Sequence, residues 1–122
     1  MLHKIELTGL KVWGYHGVFD HERAYGQDFV IDASVWVDAS MAALTDNLGH
    51  TINYGTLARV LAEDAKKDPV DLLETLAERL LSKVMEIGGG SISKARVTVH
   101  KPQAPIGYEF TDVSVTVEAE RG

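Results

Sequence analysis

The stretch DFVIDASVWVD, residues 28–38, decides the fold because every second residue in it is apolar. Successive side chains of a strand point to opposite faces of the sheet. The odd-numbered residues therefore form one apolar face: Phe29, Ile31, Ala33, Val35 and Val37. The other face carries Asp32, Ser34 and Asp38. This pattern is typical of an antiparallel sheet that covers a core with one face and has a polar second face.

The rest of the chain supplies three more strands and two helices. Predicted strands occupy residues 3–13, 28–38, 93–101 and 110–119, and predicted helices occupy about 55–66 and 70–87. Gly9 marks a bulge in the first strand, Asn53 caps the first helix, and Gly88–Gly90 end the second. The order of these elements predicts a single α+β domain over residues 1–122. In it, both helices lie on the apolar face of a four-stranded antiparallel sheet.

The predicted sheet has two open edge strands. Their unpaired backbone groups are free to pair with another chain. We therefore expect copies of this chain to assemble edge to edge into a homo-oligomer. An unambiguous monomer at micromolar concentration would contradict this expectation.

The composition excludes several classes of function. The chain has a formal net charge of −6, which disfavours binding to nucleic acid or to an anionic membrane. It has no cysteine, so disulfides, thiol nucleophiles and thiolate metal ligands are excluded. No apolar run approaches the roughly 20 residues that span a bilayer. We expect a cytoplasmic protein with neither a nucleic-acid nor a membrane partner.

Lys101 is the strongest candidate for chemistry. It ends the alternating run of residues 95–101 and lies on the apolar face of that run. Pro102 and Pro105 follow it and bracket Gln103 and Ala104. Lysine is rarely buried without a partner, and a partly desolvated lysine can exchange protons near neutral pH. The alternative is a lysine whose stem packs while its ammonium group reaches water, which is the commoner case for such a pattern.

Three other candidates have structural alternatives of their own. Glu74 is either a carboxylate that binds a ligand's paired N–H donors or, with Asp71 as N-cap, part of a capping box. Glu22, in a long loop, is either functional or a solvated surface acid beside Arg23. Tyr54 is either an acid or a packing residue at a helix start.

The five histidines give no support for a local zinc site. They lack the HxH and HExxH spacings that zinc sites commonly use. A site assembled from distant residues would leave no such pattern and stays open at this point.

Five motifs in order resemble the dihydroneopterin aldolase family. They are GYHGV (14–18), ER..GQ.F (22–29), TINYGTL (51–57), LLETLAERL (72–80) and VHKPQAPI (99–106). The resemblance implies the tunnelling fold, in which ββααββ subunits pair sheet edges into tetrameric rings and two rings stack into an octamer. It also implies that active sites lie between neighbouring subunits. One departure is His50, where the family often has an acid before the threonine of TINY.

The resemblance assigns roles to the candidate residues. Lys101, Tyr54 and Glu22 would be catalytic. Glu74 and the backbone near Leu73, together with Tyr54 and Glu22, would bind the pterin. A carboxylate at position 74 suits the amino and ring N–H groups of a pterin, because it accepts two parallel hydrogen bonds.

The implied reaction is retro-aldol cleavage of 7,8-dihydroneopterin in folate biosynthesis. It gives 6-hydroxymethyl-7,8-dihydropterin and glycolaldehyde, and the pterin itself takes up the electrons, so no cofactor, metal or Schiff base is expected. A side activity that epimerises the 2′ carbon is also expected. The alternatives are a 2′-epimerase acting on dihydroneopterin or its triphosphate, a zinc-dependent pterin enzyme of the same fold, and a non-catalytic pterin-binding ring protein.

Overall fold

In the computed structural model, which describes residues 1–122, the alternating stretch forms an inner strand of a four-stranded sheet. The strands are β1 (His3–Gly14), β2 (Gln27–Val37), β3 (Ile92–His100) and β4 (Ser114–Glu120). Their order in the sheet is β1-β2-β3-β4, and every neighbouring pair is antiparallel. The five odd-numbered apolar residues of β2 are all buried. The predicted sheet is confirmed.

Two helices, α3 (Tyr54–Ala65) and α4 (Leu73–Glu86), cover the apolar face, as predicted. α3 packs against β1 and α4, while α4 packs against β3 and β4. The core between sheet and helices includes Leu57, Leu61, Leu76, Leu80 and Val84. Complete burial of each such side chain stabilises the fold by about 1.5–3 kcal/mol. No helix is long and apolar enough to cross a membrane.

Two short helices were not predicted: α1 (Asp20–Tyr25), in the segment expected to be a long loop, and α2 (Ser40–Thr45), in a segment to which we assigned no element. Each has six residues, which is less than two full turns. A helix that short has no recurring apolar stripe for a sequence pattern to reveal.

The helix ends differ in how well they were predicted. Asn53 caps α3 as expected, and its Oδ1 accepts a hydrogen bond of 2.8 Å from the N–H of Gly55. α4 begins at Leu73 with Leu72 as its N-cap, and that cap makes no side-chain hydrogen bond. The capping-box alternative for Glu74 is therefore wrong. Asp71 instead binds a side chain of α1.

β4 begins four residues later than predicted, at Ser114. β3 ends at His100, which pairs with Ser114. Pro102 and Pro105 follow, and proline has no N–H to donate to a ladder, so the pairing does not continue. Residues 101–113 form a loop that starts at the lysine of interest.

The polar face of the sheet holds the start and end of this loop together. Nδ1 of His100 lies 2.6 Å from the carboxylate of Asp112, and Nε2 lies 2.6 Å from that of Asp32. Asp32 also accepts a hydrogen bond of 2.7 Å from the N–H of Gly9, which has a φ of 76° in the predicted bulge of β1. This cluster therefore connects three strands to the loop that follows Lys101.

Candidate active site

Lys101 and Glu22 form a buried ion pair at one end of the sheet. The Lys101 side chain continues the row of buried β3 residues, which comprises Ala95, Val97 and Val99. Its Nζ lies 2.5 Å from Oε2 of Glu22, and the two side chains are only 12% and 3% exposed. The sequence had left open that the Lys101 ammonium reaches water and that Glu22 is a solvated surface acid. The structure excludes both alternatives.

The carboxylate of Glu22 is held by three donors. Lys101 and the Nε2 of Gln27, at 2.8 Å, share its Oε2, and the N–H of Phe19 donates to Oε1 at 3.2 Å. Burial by itself raises the pKa of Glu22, but these hydrogen bonds and the charge of Lys101 outweigh it and lower the pKa below its usual range. Glu22 therefore stays ionised at neutral pH.

Gly17 leaves the room that the Glu22 carboxylate occupies. A Cβ at this position would overlap the carboxylate carbon and both of its oxygens. Gly17 also has a φ of 151°, which side-chain-bearing residues rarely adopt. The second glycine of the GYHGV motif, Gly17, is therefore required, because the backbone approaches the ion pair too closely there for any side chain.

α1, which carries Glu22, is fixed to the segment before α4. Arg23 donates to the carbonyl of Gly17 at 3.0 Å and pairs with Asp71 at 2.5 Å. The N–H of Gly17 donates to the carbonyl of Val70 at 2.9 Å. The start of α4, with Leu73 and Glu74, therefore belongs to the same end of the molecule as the ion pair.

His16 fixes the same region from inside. Its Nε2–H donates to the carbonyl of Ala65 at 2.6 Å, and its Nδ1 accepts from the N–H of Val70 at 3.1 Å. These roles require a neutral ring, and burial lowers the pKa of His16 accordingly. His16 is 2% exposed and joins the end of α3 to the start of the α4 segment.

Glu74 and Leu73 form the first turn of α4. Glu74 is exposed and Leu73 is partly buried. The N–H groups of a helix's first turn have no partner within the helix, so a ligand here can meet both free backbone donors and a carboxylate acceptor.

Tyr54 lies at the opposite end of the helical layer. It is the first residue of α3, whereas the last residue, Ala65, contacts His16 at the Glu22 end. A helix of 12 residues is about 18 Å long, so one chain does not bring Tyr54 to Lys101. The Tyr54 side chain is 69% exposed. It is therefore available to another molecule rather than to its own core.

The cavity beside the ion pair is small. It measures about 200 Å³ and is lined by His21, Glu22, Tyr25, Gly26, Gln27, Gln103 and Pro105. Ligand pockets usually enclose at least about 300 Å³. The largest surface cavity, of about 560 Å³, lies at the far end of α4 and contains none of the predicted site residues. In a single chain, the ion pair therefore has no cavity of that size beside it.

Gln27 and His16 belong to this site but were not predicted. A signal for Gln27 was present, because it has the same odd parity as the buried residues of β2 and is a polar residue on an apolar face. His16 lies beyond any regular alternation. Only its two backbone contacts reveal its role.

Comparison with known proteins gives a consistent result. The family model described as FolB, dihydroneopterin aldolase, matches residues 5–118. The chain is 41% identical over 118 residues to a dihydroneopterin aldolase of Streptomyces coelicolor, covering 97% of this chain and 98% of the relative. It is 36% identical to that of Bacillus subtilis, with the same coverage.

A solved structure has the same fold. The atomic-resolution crystal structure of E. coli dihydroneopterin aldolase in complex with neopterin superimposes with a TM-score of 0.86, covering 98% of this chain and 99% of that one. The two sequences are 23% identical, so this likeness concerns the fold.

Proposed function

The chain belongs to the dihydroneopterin aldolase family, and from this premise we propose that it cleaves 7,8-dihydroneopterin by a retro-aldol reaction. The 2′-hydroxyl loses its proton, the C1′–C2′ bond breaks, and glycolaldehyde leaves. The electron pair of the broken bond moves into the C=N of the pterin ring. Protonation at C1′ then gives 6-hydroxymethyl-7,8-dihydropterin.

The observation that carries the proposal is the buried Lys101–Glu22 pair at the end of β3. Glu22 remains ionised and its oxygens already accept three hydrogen bonds, so it is poorly suited to remove a proton itself. Its role is to hold Lys101 in place. Lys101 is then the acid–base residue, acting on the 2′-hydroxyl through a water molecule. Because the pterin takes up the electrons, Lys101 does not form a Schiff base.

The other end of the substrate binds at the first turn of α4. Glu74 accepts hydrogen bonds from the amino and ring N–H groups of the pterin, and backbone groups at Leu73 supply further contacts. Arg23, Asp71, Gly17 and Val70 hold this turn beside α1, which fixes the spacing between ring recognition and Lys101.

A neighbouring copy supplies Tyr54, which protonates or stabilises the enol intermediate. Three observations support a shared site: Tyr54 is exposed, it lies about one helix length from the ion pair, and the cavity of a single chain is too small. β1 and β4 are edge strands in the chain alone. We propose that they pair into tetrameric rings, two of which form an octamer.

Epimerisation at the 2′ carbon follows from the same chemistry, since re-addition of glycolaldehyde before it leaves restores the C1′–C2′ bond. A triphosphate substrate is less well supported. Arg23 is already paired with Asp71, Lys101 with Glu22, and His100 with two aspartates. No unpaired cation among these is available for a triphosphate.

The test is an anaerobic incubation of the protein with 7,8-dihydroneopterin in the presence of a chelator. Products are separated by chromatography, with Lys101→Ala and the exposed control Lys83→Ala run in parallel. We expect 6-hydroxymethyl-7,8-dihydropterin and glycolaldehyde from the parent and from Lys83→Ala, and neither from Lys101→Ala. Epimer without glycolaldehyde would replace the aldolase with the epimerase. Pterin binding without any turnover would leave a binding protein.

A further inference from the structure

Gln27 contains the one buried side-chain oxygen or nitrogen in the structure that has no hydrogen-bond partner. It is the first residue of β2, it is 7% exposed, and its Oε1 meets no donor. Buried polar groups are nearly always hydrogen-bonded, and an unpaired one is destabilising. An unpaired amide oxygen beside the candidate acid–base pair therefore needs an explanation.

The orientation of the Gln27 amide is fixed by its neighbour. The Glu22 carboxylate is ionised and can only accept hydrogen bonds, so the nitrogen of the amide must face it. Reversing the amide would place two acceptor oxygens together. The oxygen of Gln27 is thereby held on the side away from Glu22.

Gln27 also lies beside the proposed acid–base group. Its Nε2 and the Nζ of Lys101 are 2.8 Å and 2.5 Å from the same oxygen of Glu22. Gln27 and Glu22 both line the cavity of about 200 Å³ described above. A ligand group in this cavity therefore contacts the side chains of Gln27 and Glu22, whose carboxylate binds the ammonium group of Lys101.

We propose that Oε1 of Gln27 accepts a hydrogen bond from a hydroxyl group on the three-carbon side chain of the substrate. This proposal rests on the proposed function and makes Gln27 a substrate-recognition residue. Oε2 of Glu22 then has two roles. It positions the amine of Lys101, and it orients the Gln27 amide, which recognises the hydroxyl groups of the substrate side chain. An acceptor at this point places the C1′–C2′ bond relative to Lys101.

The test compares two ligands that differ only in the side chain at C6: neopterin, with three hydroxyls, and 6-methylpterin, with none. Dissociation constants are measured by fluorescence quenching for the parent, Gln27→Met and the control Lys83→Met. Lys83 is an exposed residue of α4 that does not line this cavity. Loss of one hydrogen bond in Gln27→Met should weaken neopterin about tenfold and change 6-methylpterin by less than about twofold. The neopterin preference of Lys83→Met should match the parent.

A second measurement on the parent protein keeps the test informative if Gln27→Met folds poorly. The 13C resonance of the Gln27 side-chain carbonyl should move on addition of neopterin and stay near its place on addition of 6-methylpterin, because only neopterin brings a hydroxyl donor to Oε1. An equal loss of both ligands in Gln27→Met, or the same carbonyl shift with both ligands in the parent, would overturn the proposal. So would an unchanged neopterin affinity in Gln27→Met, since the partner of Oε1 would then be water.

The controls separate this proposal from the proposed function. A parent protein that binds neither pterin and releases no glycolaldehyde would refute the aldolase itself. A parent that cleaves dihydroneopterin yet binds neopterin and 6-methylpterin equally would refute only the assignment of Gln27.

Discussion

The two ends of the helical layer contrast in how much of a site each completes. At one end, Lys101 and Glu22 are buried against each other and braced by α1, Gly17 and the segment before α4. At the other end, Tyr54 begins α3 with most of its side chain in solvent. We call these the closed end and the open end. Under the proposed shared site, folding of one chain builds the acid–base pair, and assembly with a neighbouring copy brings the tyrosine to it.

The largest expected effect comes from breaking the closed end. Lys101→Met leaves the Glu22 carboxylate buried without its cation, which should destabilise the protein by about 3–5 kcal/mol and lower turnover by about 10²–10⁴. Urea unfolding and steady-state kinetics measure the two effects. The double variant Lys101→Met/Glu22→Gln removes the buried charge but keeps an amide oxygen as a hydrogen-bond acceptor, so it should recover most of the stability and none of the turnover. Recovery of turnover would contradict the role of Lys101.

Breaking the open end should change activity without changing stability. Tyr54→Phe removes a hydroxyl from an exposed side chain, so its free energy of unfolding should stay within about 0.5 kcal/mol of the parent while turnover falls. Unfolding Tyr54→Phe and Lys101→Met chains, each of low activity, and refolding them together tests the shared site. About one quarter of the sites in random mixed rings should then be intact. No recovery of activity would place Tyr54 and Lys101 in separate sites.

A smaller effect should appear in the pH dependence of stability. Because the pKa of Glu22 is lowered in the folded protein, its ionised form stabilises the fold fully above the unfolded value of about 4.5. That contribution is lost as pH falls from this value through the lowered folded pKa. Unfolding measured between pH 7 and pH 3 should therefore show a steeper acid decline for the parent than for Glu22→Gln. Parallel curves would show that the closed end does not depend on this charge.

The strand alternation was sufficient to predict the sheet and the inward direction of Lys101, because a buried face imposes a period of two on the sequence. The partner of Lys101 was not predictable in this way. Glu22 lies on a six-residue helix in a distant segment, and its burial depends on the close approach of Gly17. The same parity argument applies to Gln27, whose position on the apolar face of β2 was visible in the sequence.

The division between the two ends was less accessible to sequence reasoning. Tyr54 and Glu74 each begin a helix, and the motifs that contain them give no distance between them. Only the contacts of His16, which joins the end of α3 at Ala65 to Val70 just before α4, show that these two helix starts lie at opposite ends.

The antiparallel pairing of β2 with β3 also bears on how the protein is made. Glu22 and Lys101 are about 80 residues apart, and ribosomes add roughly 5–20 residues per second, so Glu22 is synthesised several seconds before its partner. During that interval β2 has β1 as a partner on one edge, while its other edge, which later pairs with β3, stays unpaired. The nascent chain must avoid aggregation at this open edge, and the ion pair forms only after β3 has been synthesised.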